Sequence, residues 1–567
     1  MTSAAKKIVI VGGVASGMSA AARARRLSEN SEIIVFEKSG YVSYANCGLP
    51  YYLGHEILNE SDLVLQTPQS LKARFNIEVR LHSEVIDIDA KAQTIEVKDI
   101  QTNHVYHETF DDLILSVGAS PIRPRLPGMD LPGQFTLRGI EDVQAIESWI
   151  QDQKVTRVAI IGGGFIGLEL AEQFHRRKLD VTVVDAQEQV LAQLDPGMAE
   201  FVHQELKAHD VKLLLGAPLV AVKSPNEIET KESPPKCGWV VAGPNAPFAA
   251  DLVILGLGVR PDVGLARKAG LQIGDLGGIR VNEHLQSSLA HIWAVGDAIE
   301  VKHPVSDAST LIALGGPANR QGRMVADNIF GKQQAYDGTL GTAILRVFDL
   351  TVGVVGLNES RLKVSTIPYQ AVNIHPVNHA GYYPGAERID LKLLFDPTKG
   401  TILGAQAIGK SGVDKRIDVL ATAMKGGMTV RDLAQIELAY APPYGSAKDP
   451  INLIGMVASD VLDGLVEQVQ TEDLEALINT VVVDVRSEKE RQAGFIPGSI
   501  HLPLPELRKR LCELPKDKDI VVNCQSGQRS YFASRLLRLN GFPVRNLSGG
   551  YLTWVHRPKA KVPIETR

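Results

Sequence analysis

Cysteine is scarce: the 567-residue chain holds four, Cys47, Cys237, Cys512 and Cys524, and no two form a CxxC pair. That is too few for a disulfide scaffold and the wrong spacing for a structural zinc site, so each must be judged as a thiol, and no metal centre is expected. Long basic runs are also missing and the formal net charge is −5, which leaves no electrostatic footprint for nucleic acid or acidic lipid. No apolar stretch approaches the ~20 residues that span a bilayer. The opening MTSAAKKIVIVGG runs almost directly into a strand, with no room for a signal peptide. A cytoplasmic protein with small-molecule partners, no nucleic acid and no membrane is expected. The composition, 44% hydrophobic and 22% charged, is that of a soluble globular chain, and its length predicts about three or four folding units.

The pattern along the chain is α/β. Residues 6–37 alternate a strand (KIVIVGG), an Ala- and Arg-rich helix and a second strand (SEIIVFEK), and the same βαβ pattern returns at 157–185. Two such units imply two dinucleotide sites. The first turn, Gly12-Gly13-Val14-Ala15-Ser16-Gly17, departs from GxGxxG at Val14, but it lies between strand and helix and is followed by Glu37, an acid placed to bond ribose hydroxyls. The second turn carries Gly162, Gly164 and Gly167 in full GxGxxG spacing, with Asp185 at the next strand end. An Asp there accepts from a free 2′-hydroxyl and repels a 2′-phosphate, which favours NADH over NADPH. Apolar runs ending in Gly118 and Gly258 close the two halves. The expected order is a first dinucleotide domain of residues 1–150 and 286–330, a second of 151–285, an α+β domain of 331–455, a polar linker of 456–473 and an appended α/β domain of 474–567.

Two dinucleotide turns with Ala-Val-Gly-Asp at 294–297 resemble the pyridine nucleotide-disulfide reductase superfamily. The resemblance implies FAD at the first site, NADH at the second and Gly296 and Asp297 against the flavin's ribityl and phosphate part, with Ser16, Lys38 and the glycines completing the cofactor contacts. The stretch Ser43-Tyr44-Ala45-Asn46-Cys47-Gly48-Leu49-Pro50 has one cysteine and no partner five residues on. A lone redox cysteine cycles between thiolate and a mixed disulfide, a persulfide or a sulfenate. This context closely resembles coenzyme A-disulfide reductase, the single-cysteine branch. Related NADH oxidases and peroxidases carry a His in the first Gly-rich loop, which GGVASG lacks.

That branch implies catalytic roles for Cys47 and for Tyr382 and Tyr440, the tyrosines coming from the partner subunit of a homodimer with shared active sites. It implies coenzyme A contacts at Ser19, Arg23, Arg26, Ser43, Asn46 and Lys448. One departure is Phe75, where the family has a Lys; Arg25 reads as part of a solvated helix face.

The C-terminal domain reads separately. Cys524 opens the loop Cys-Gln-Ser-Gly-Gln-Arg-Ser between an apolar strand and a helix, so loop N–H groups can converge on one sulfur and lower its pKa. With VVVDVRS and GFIPGSIHLPL this strongly resembles a rhodanese, with Cys524 carrying a persulfide, Arg529 at the substrate side of the loop, and Asp484 and Arg486 holding the loop. Cys237 and Cys512 read as bystanders. Together the likeness is to coenzyme A-disulfide reductase–rhodanese fusions, including NADH-dependent persulfide reductases. The rival readings are a peroxide- or oxygen-reducing NADH oxidase with an accessory rhodanese, and a sulfurtransferase that delivers persulfide to an acceptor protein.

Overall fold

A computed structural model describes residues 5–229 and 233–558; the expected domain limits at 1–4 and 559–567 lie outside the described residues. The chain divides into two compact units, residues 1–188 with 210–341, and residues 189–209 with 342–567.

Two parallel five-stranded sheets build the first unit. One has the order Ile292–Ala294, Asp112–Leu115, Lys7–Val11, Glu32–Phe36, Glu78–Arg80, and the other Lys212–Leu214, Asp180–Val184, Arg157–Ile161, Leu252–Leu255, Gln134–Phe135. Their central strands, such as KIVIV and RVAII, are near-continuous apolar runs because both faces are buried. Helix Ala15–Leu27 lies against helix Gly315–Ile329 at a crossing where Gly322 meets the Ser16 backbone so closely that a Cβ would overlap it. The strand Ile292–Ala294 thus returns late in sequence to the first sheet. Two domain limits need correction. Strand Gln134–Phe135 already pairs with the second sheet, so the first domain does not run to 150. Residues 331–341 stay with the first unit, where Tyr336 N–H donates to Glu283 and Thr339 N–H to Lys302.

The second unit holds an antiparallel sheet, ordered Ala343–Val347, Leu350–Gly356, Ile402–Gly409, Ile389–Phe395, Gln370–Ile374, and a parallel sheet, ordered Gln468–Val469, Val544–Leu547, Asp519–Asn523, Thr480–Asp484, Ile500–His501. Helix Pro196–Ala208 packs on the antiparallel sheet, so the stretch expected in the second dinucleotide domain belongs here instead. The polar linker expected at 456–473 is also corrected. Helix Pro450–Leu462 buries Ile451, Ile454 and Ala458, and Gln468–Val469 is an edge strand of the parallel sheet. An acidic surface had hidden a helix whose apolar face is turned inward.

Buried Arg416 ties the loops of this unit together. Its guanidinium donates to the Asn378 carbonyl at 2.7 Å and to Asp449 at 2.7 and 3.3 Å. Asn378 leads into the loop bearing Tyr382 and Asp449 ends the one bearing Tyr440, and Ala380 N–H reaches Gly445 O at 2.9 Å. Arg416→Ala would leave buried Asp449 with only the longer Lys415 contact at 3.8 Å, a loss of roughly 3 kcal/mol; urea unfolding of the full chain should show the midpoint of this unit falling accordingly.

Candidate active site

The two glycine turns are copies in geometry. Gly12 and Gly162 follow their strands at φ +101° and +114°, where a Cβ would overlap the carbonyl oxygens of Ser116 and Gly256, so only glycine fits. The amide of Gly13 donates to Glu37 Oε2 at 2.8 Å and that of Gly163 to Asp185 Oδ2 at 2.7 Å. Each acid is therefore fastened to its own loop at the end of the neighbouring strand. Gly17 and Gly167 bring each helix onto its turn. No heavy atom lies within 4 Å of a Cβ built on Gly164, which leaves the start of helix Phe165–Arg176 open to a pyrophosphate. At the first site Val14 takes that place.

Ser16 Oγ lies 2.6 Å from Ser116 Oγ, and Gly296 N–H donates to Gln321 at 2.7 Å. Burial pushes the Asp297 carboxyl up, with Arg138 opposing it; a carboxylate stripped of water in this way is a ready acceptor for a ligand hydroxyl. Arg138 also caps the turn, donating to Ser120 and to the Val117 carbonyl beside Gly118. Gly258 has φ +87° next to the strand Val259–Pro261, which pairs with Ala119–Pro121. Lys38 Nζ is 3.9 Å from Asp262. These residues fit two dinucleotides, one per sheet.

Cys47 sits in the single turn Asn46–Gly48 that leads into helix Leu49–Leu53. It is exposed, and its Sγ faces Asn46 Oδ1 at 3.9 Å. Protein crowds one side of the thiol, and that burial, followed by the negative charges of Glu169 and Asp297, pushes its pKa up. Exposed area governs access to the sulfur, and the crowded side governs its titration. Ser43 holds φ +48° while its N–H bonds the Gly13 carbonyl at 2.8 Å, which joins the cysteine loop to the first glycine turn.

The residues expected at coenzyme A scatter in role. Ser19 Oγ donates to Asn319 at 2.5 Å and Arg23 is bound to Asp327 at 2.7 Å, while Arg26, Asn46 and Lys448 are exposed. Arg25 corrects the reading of a solvated face. It is 5% exposed, and it donates to the carbonyls of Phe75, Ser28, Glu29 and Asn76. In the second unit Tyr382 and Tyr440 are exposed and their hydroxyls meet at 3.2 Å, which raises the Tyr382 pKa.

Cys524, fully buried, follows strand Asp519–Asn523 and opens the loop into helix Gln528–Leu539. Gly527 N–H reaches its Sγ at 3.2 Å and Ser530 Oγ at 3.4 Å. Buried Arg486 pairs with Asp484 at 2.8 Å, donates to Gln525 at 3.2 Å and lies 4.1 Å over the Tyr551 ring, so it braces the loop from behind. Arg529 is held by Glu490. Sequence spacing had given no sign of Glu490, Glu169 or Arg138, because each meets its partner through the fold. Cys237 is buried, with its thiol pushed up to about 12, and Cys512 is exposed.

The chain belongs to the pyridine nucleotide-disulphide oxidoreductase family, whose model matches residues 6–322, followed by that family's dimerisation domain at 342–449 and a rhodanese-like domain at 470–557. Among solved structures it is similar to reduced Bacillus anthracis CoADR-RHD (45% identity, 98% of this chain and 99% of that chain, TM-score 0.95). It is also similar to an NAD-dependent persulfide reductase from A. fulgidus (35% identity, 97% and 100%, TM-score 0.89). A coenzyme A disulfide reductase of Staphylococcus haemolyticus is 35% identical over 80% of this chain and its own full length. No helix among the described residues is long and apolar enough to cross a membrane.

Glu169 opposes ionisation of Cys47 and also accepts from Tyr51 at 3.0 Å. Glu169→Gln keeps an acceptor and removes the charge, so the Cys47 pKa falls. Thiol alkylation at neutral pH should run roughly threefold faster, with its pH midpoint displaced downward.

Proposed function

We propose that this enzyme reduces persulfides, polysulfides or coenzyme A disulfide with NADH and FAD, through Cys47, and that Cys524 loads or hands on sulfane sulfur. The observation that carries this reading is Cys47 itself, an exposed thiol in a single turn with no second cysteine in its loop. Such a thiol reacts with a sulfur–sulfur bond by taking one sulfur partner onto itself. The names of the relatives, coenzyme A disulfide reductase and persulfide reductase, support the same chemistry.

Bound FAD and NADH supply the two electrons that cleavage of a sulfur–sulfur bond consumes. Glu37 and Asp185 orient the ribose ends of the two sites while Gly12 and Gly162 admit the pyrophosphates. The Cys47 thiolate attacks the substrate disulfide or persulfide, forms a mixed disulfide or a persulfide, and releases thiol or sulfide. Tyr382 and Tyr440, in the homodimer that the dimerisation domain suggests, lend a phenol proton to the departing sulfur. Coenzyme A would rest on Arg26 and Asn46, with Arg23 reaching it only by leaving Asp327 and with Lys448 of the partner subunit completing the contacts. At the other thiol, the Gly527 amide and Ser530 hydroxyl favour a charged outer sulfur on Cys524.

The reading is tested by anaerobic NADH consumption with sulfide detection on a persulfide substrate. Cys47→Ser should abolish sulfide release, and Cys524→Ser should lower it if the rhodanese domain feeds the reductase. NADH turnover that survives Cys47→Ser overturns the reading. Asp185→Ala should narrow the NADH preference over NADPH by about tenfold in kcat/KM, since the repulsion of a 2′-phosphate goes with the carboxylate.

A further inference from the structure

Among the residues of the Cys524 loop, 524–530, one is a cation, and that cation is already matched. Arg529, near the end of the loop, sends Nη1 to Glu490 Oε2 at 2.8 Å and Nη2 to Oε1 at 2.5 Å. The pair lies at the surface, the two side chains 38% and 30% exposed. Glu490 is fixed further by the Ser487 amide at 3.0 Å and hydroxyl at 2.8 Å. The Arg529 hydrogen bonds foremost, and then these, hold its carboxyl down to about 2, so it stays ionised at any working pH. Arg529 answers first to Glu490 and more weakly to Cys524.

The rest of the loop, Gln525, Ser526, Gly527 and Gln528, is neutral. Behind it, Arg486 and Arg491 both engage Asp484, and Arg486 is buried. The exposed pair is therefore neutral, and the loop keeps no unmatched surface cation to receive the charge of a donor. A doubly charged inorganic donor finds no free cation there to bind it, whereas a donor carrying its charge on one sulfur of an organic chain depends on one less.

We propose that Glu490 is a specificity-determining residue whose clamp on Arg529 turns the sulfur-accepting site away from dianionic donors such as thiosulfate and toward persulfides of small thiols. This rests on the reading of Cys524 as a sulfur carrier and deepens it by naming the donor class. The transfer is an exchange without net redox change. The Cys524 thiolate attacks the outer sulfur of R–S–S⁻, a sulfur–sulfur bond forms to Cys524 as the one to R breaks, and R–S⁻ leaves with the electron pair. Thiosulfate would react in the same way with sulfite leaving.

The test measures thiocyanate formation by the full-length holoenzyme with cyanide as acceptor, comparing thiosulfate with the singly charged persulfide of 2-mercaptoethanol and subtracting the Cys524→Ser background. In Glu490→Gln, kcat/KM for thiosulfate should rise about tenfold relative to the persulfide. Glu490→Asp, which keeps the charge and the site's acceptor, should leave the donor ratio within about twofold of the parent. An unchanged ratio in Glu490→Gln, or an equal rise in Glu490→Asp, overturns the proposal. Absence of Cys524-dependent thiocyanate from both donors would remove the sulfur-carrier reading itself, and the proposal with it, while leaving the Cys47 result separate.

Discussion

A sulfur anion must be stabilised by what surrounds it, and this chain surrounds the sulfurs of Cys47 and Cys524 in opposite ways. At Cys47, burial on one side and the charges of Glu169 and Asp297 oppose ionisation. At Cys524, an amide and a hydroxyl point at the sulfur from within a closed loop. The first environment suits a thiol that becomes a nucleophile when its ligands and substrate are in place. The second suits a sulfur that holds an extra, charged sulfur atom between encounters. The division of labour proposed for Cys47 and Cys524 rests on this contrast.

The fold delivers these environments by reuse. The same strand, glycine turn, helix and acid are built twice in the first unit, and in each the acid's carboxylate is bonded to the loop amide. This places two dinucleotide sites in one unit. The Cys47 loop is fastened to the first of them through Ser43 and Gly13. In the second unit, Arg416 and the Arg486–Asp484 pair act as internal struts for loops that carry exposed chemistry. Buried charges of this kind fix loop geometry rather than add much net stability.

Local patterns were legible in the sequence and distant pairings were not. The strand–turn–helix units, their acids, and the loop opened by Cys524 all lie within about thirty residues, where periodicity and glycine spacing speak directly. The grouping of residues 189–209 with a sheet that begins at 343 leaves no local trace. The same is true of strand Gln468–Val469, which is short and polar and is recognised only by its partner. Arg25 read as surface because a helix with three arginines looks solvated, yet carbonyls from the end of helix Pro68–Phe75 draw it inward. At the sulfur sites the cysteines were visible, but Glu169 and Asp297, whose charges oppose ionisation of Cys47, and Glu490, which holds Arg529, act across the fold.

The central claim is that Cys47 receives sulfur from the substrate. It is tested most directly by mixing the full-length holoenzyme with a persulfide in the absence of NADH, quenching with an alkylating agent and mapping the cysteine peptides by mass spectrometry. The account predicts an added sulfur or a thiol adduct on Cys47 that disappears once NADH is supplied. Modification confined to Cys524, with Cys47 recovered as an unmodified thiol throughout, would contradict it.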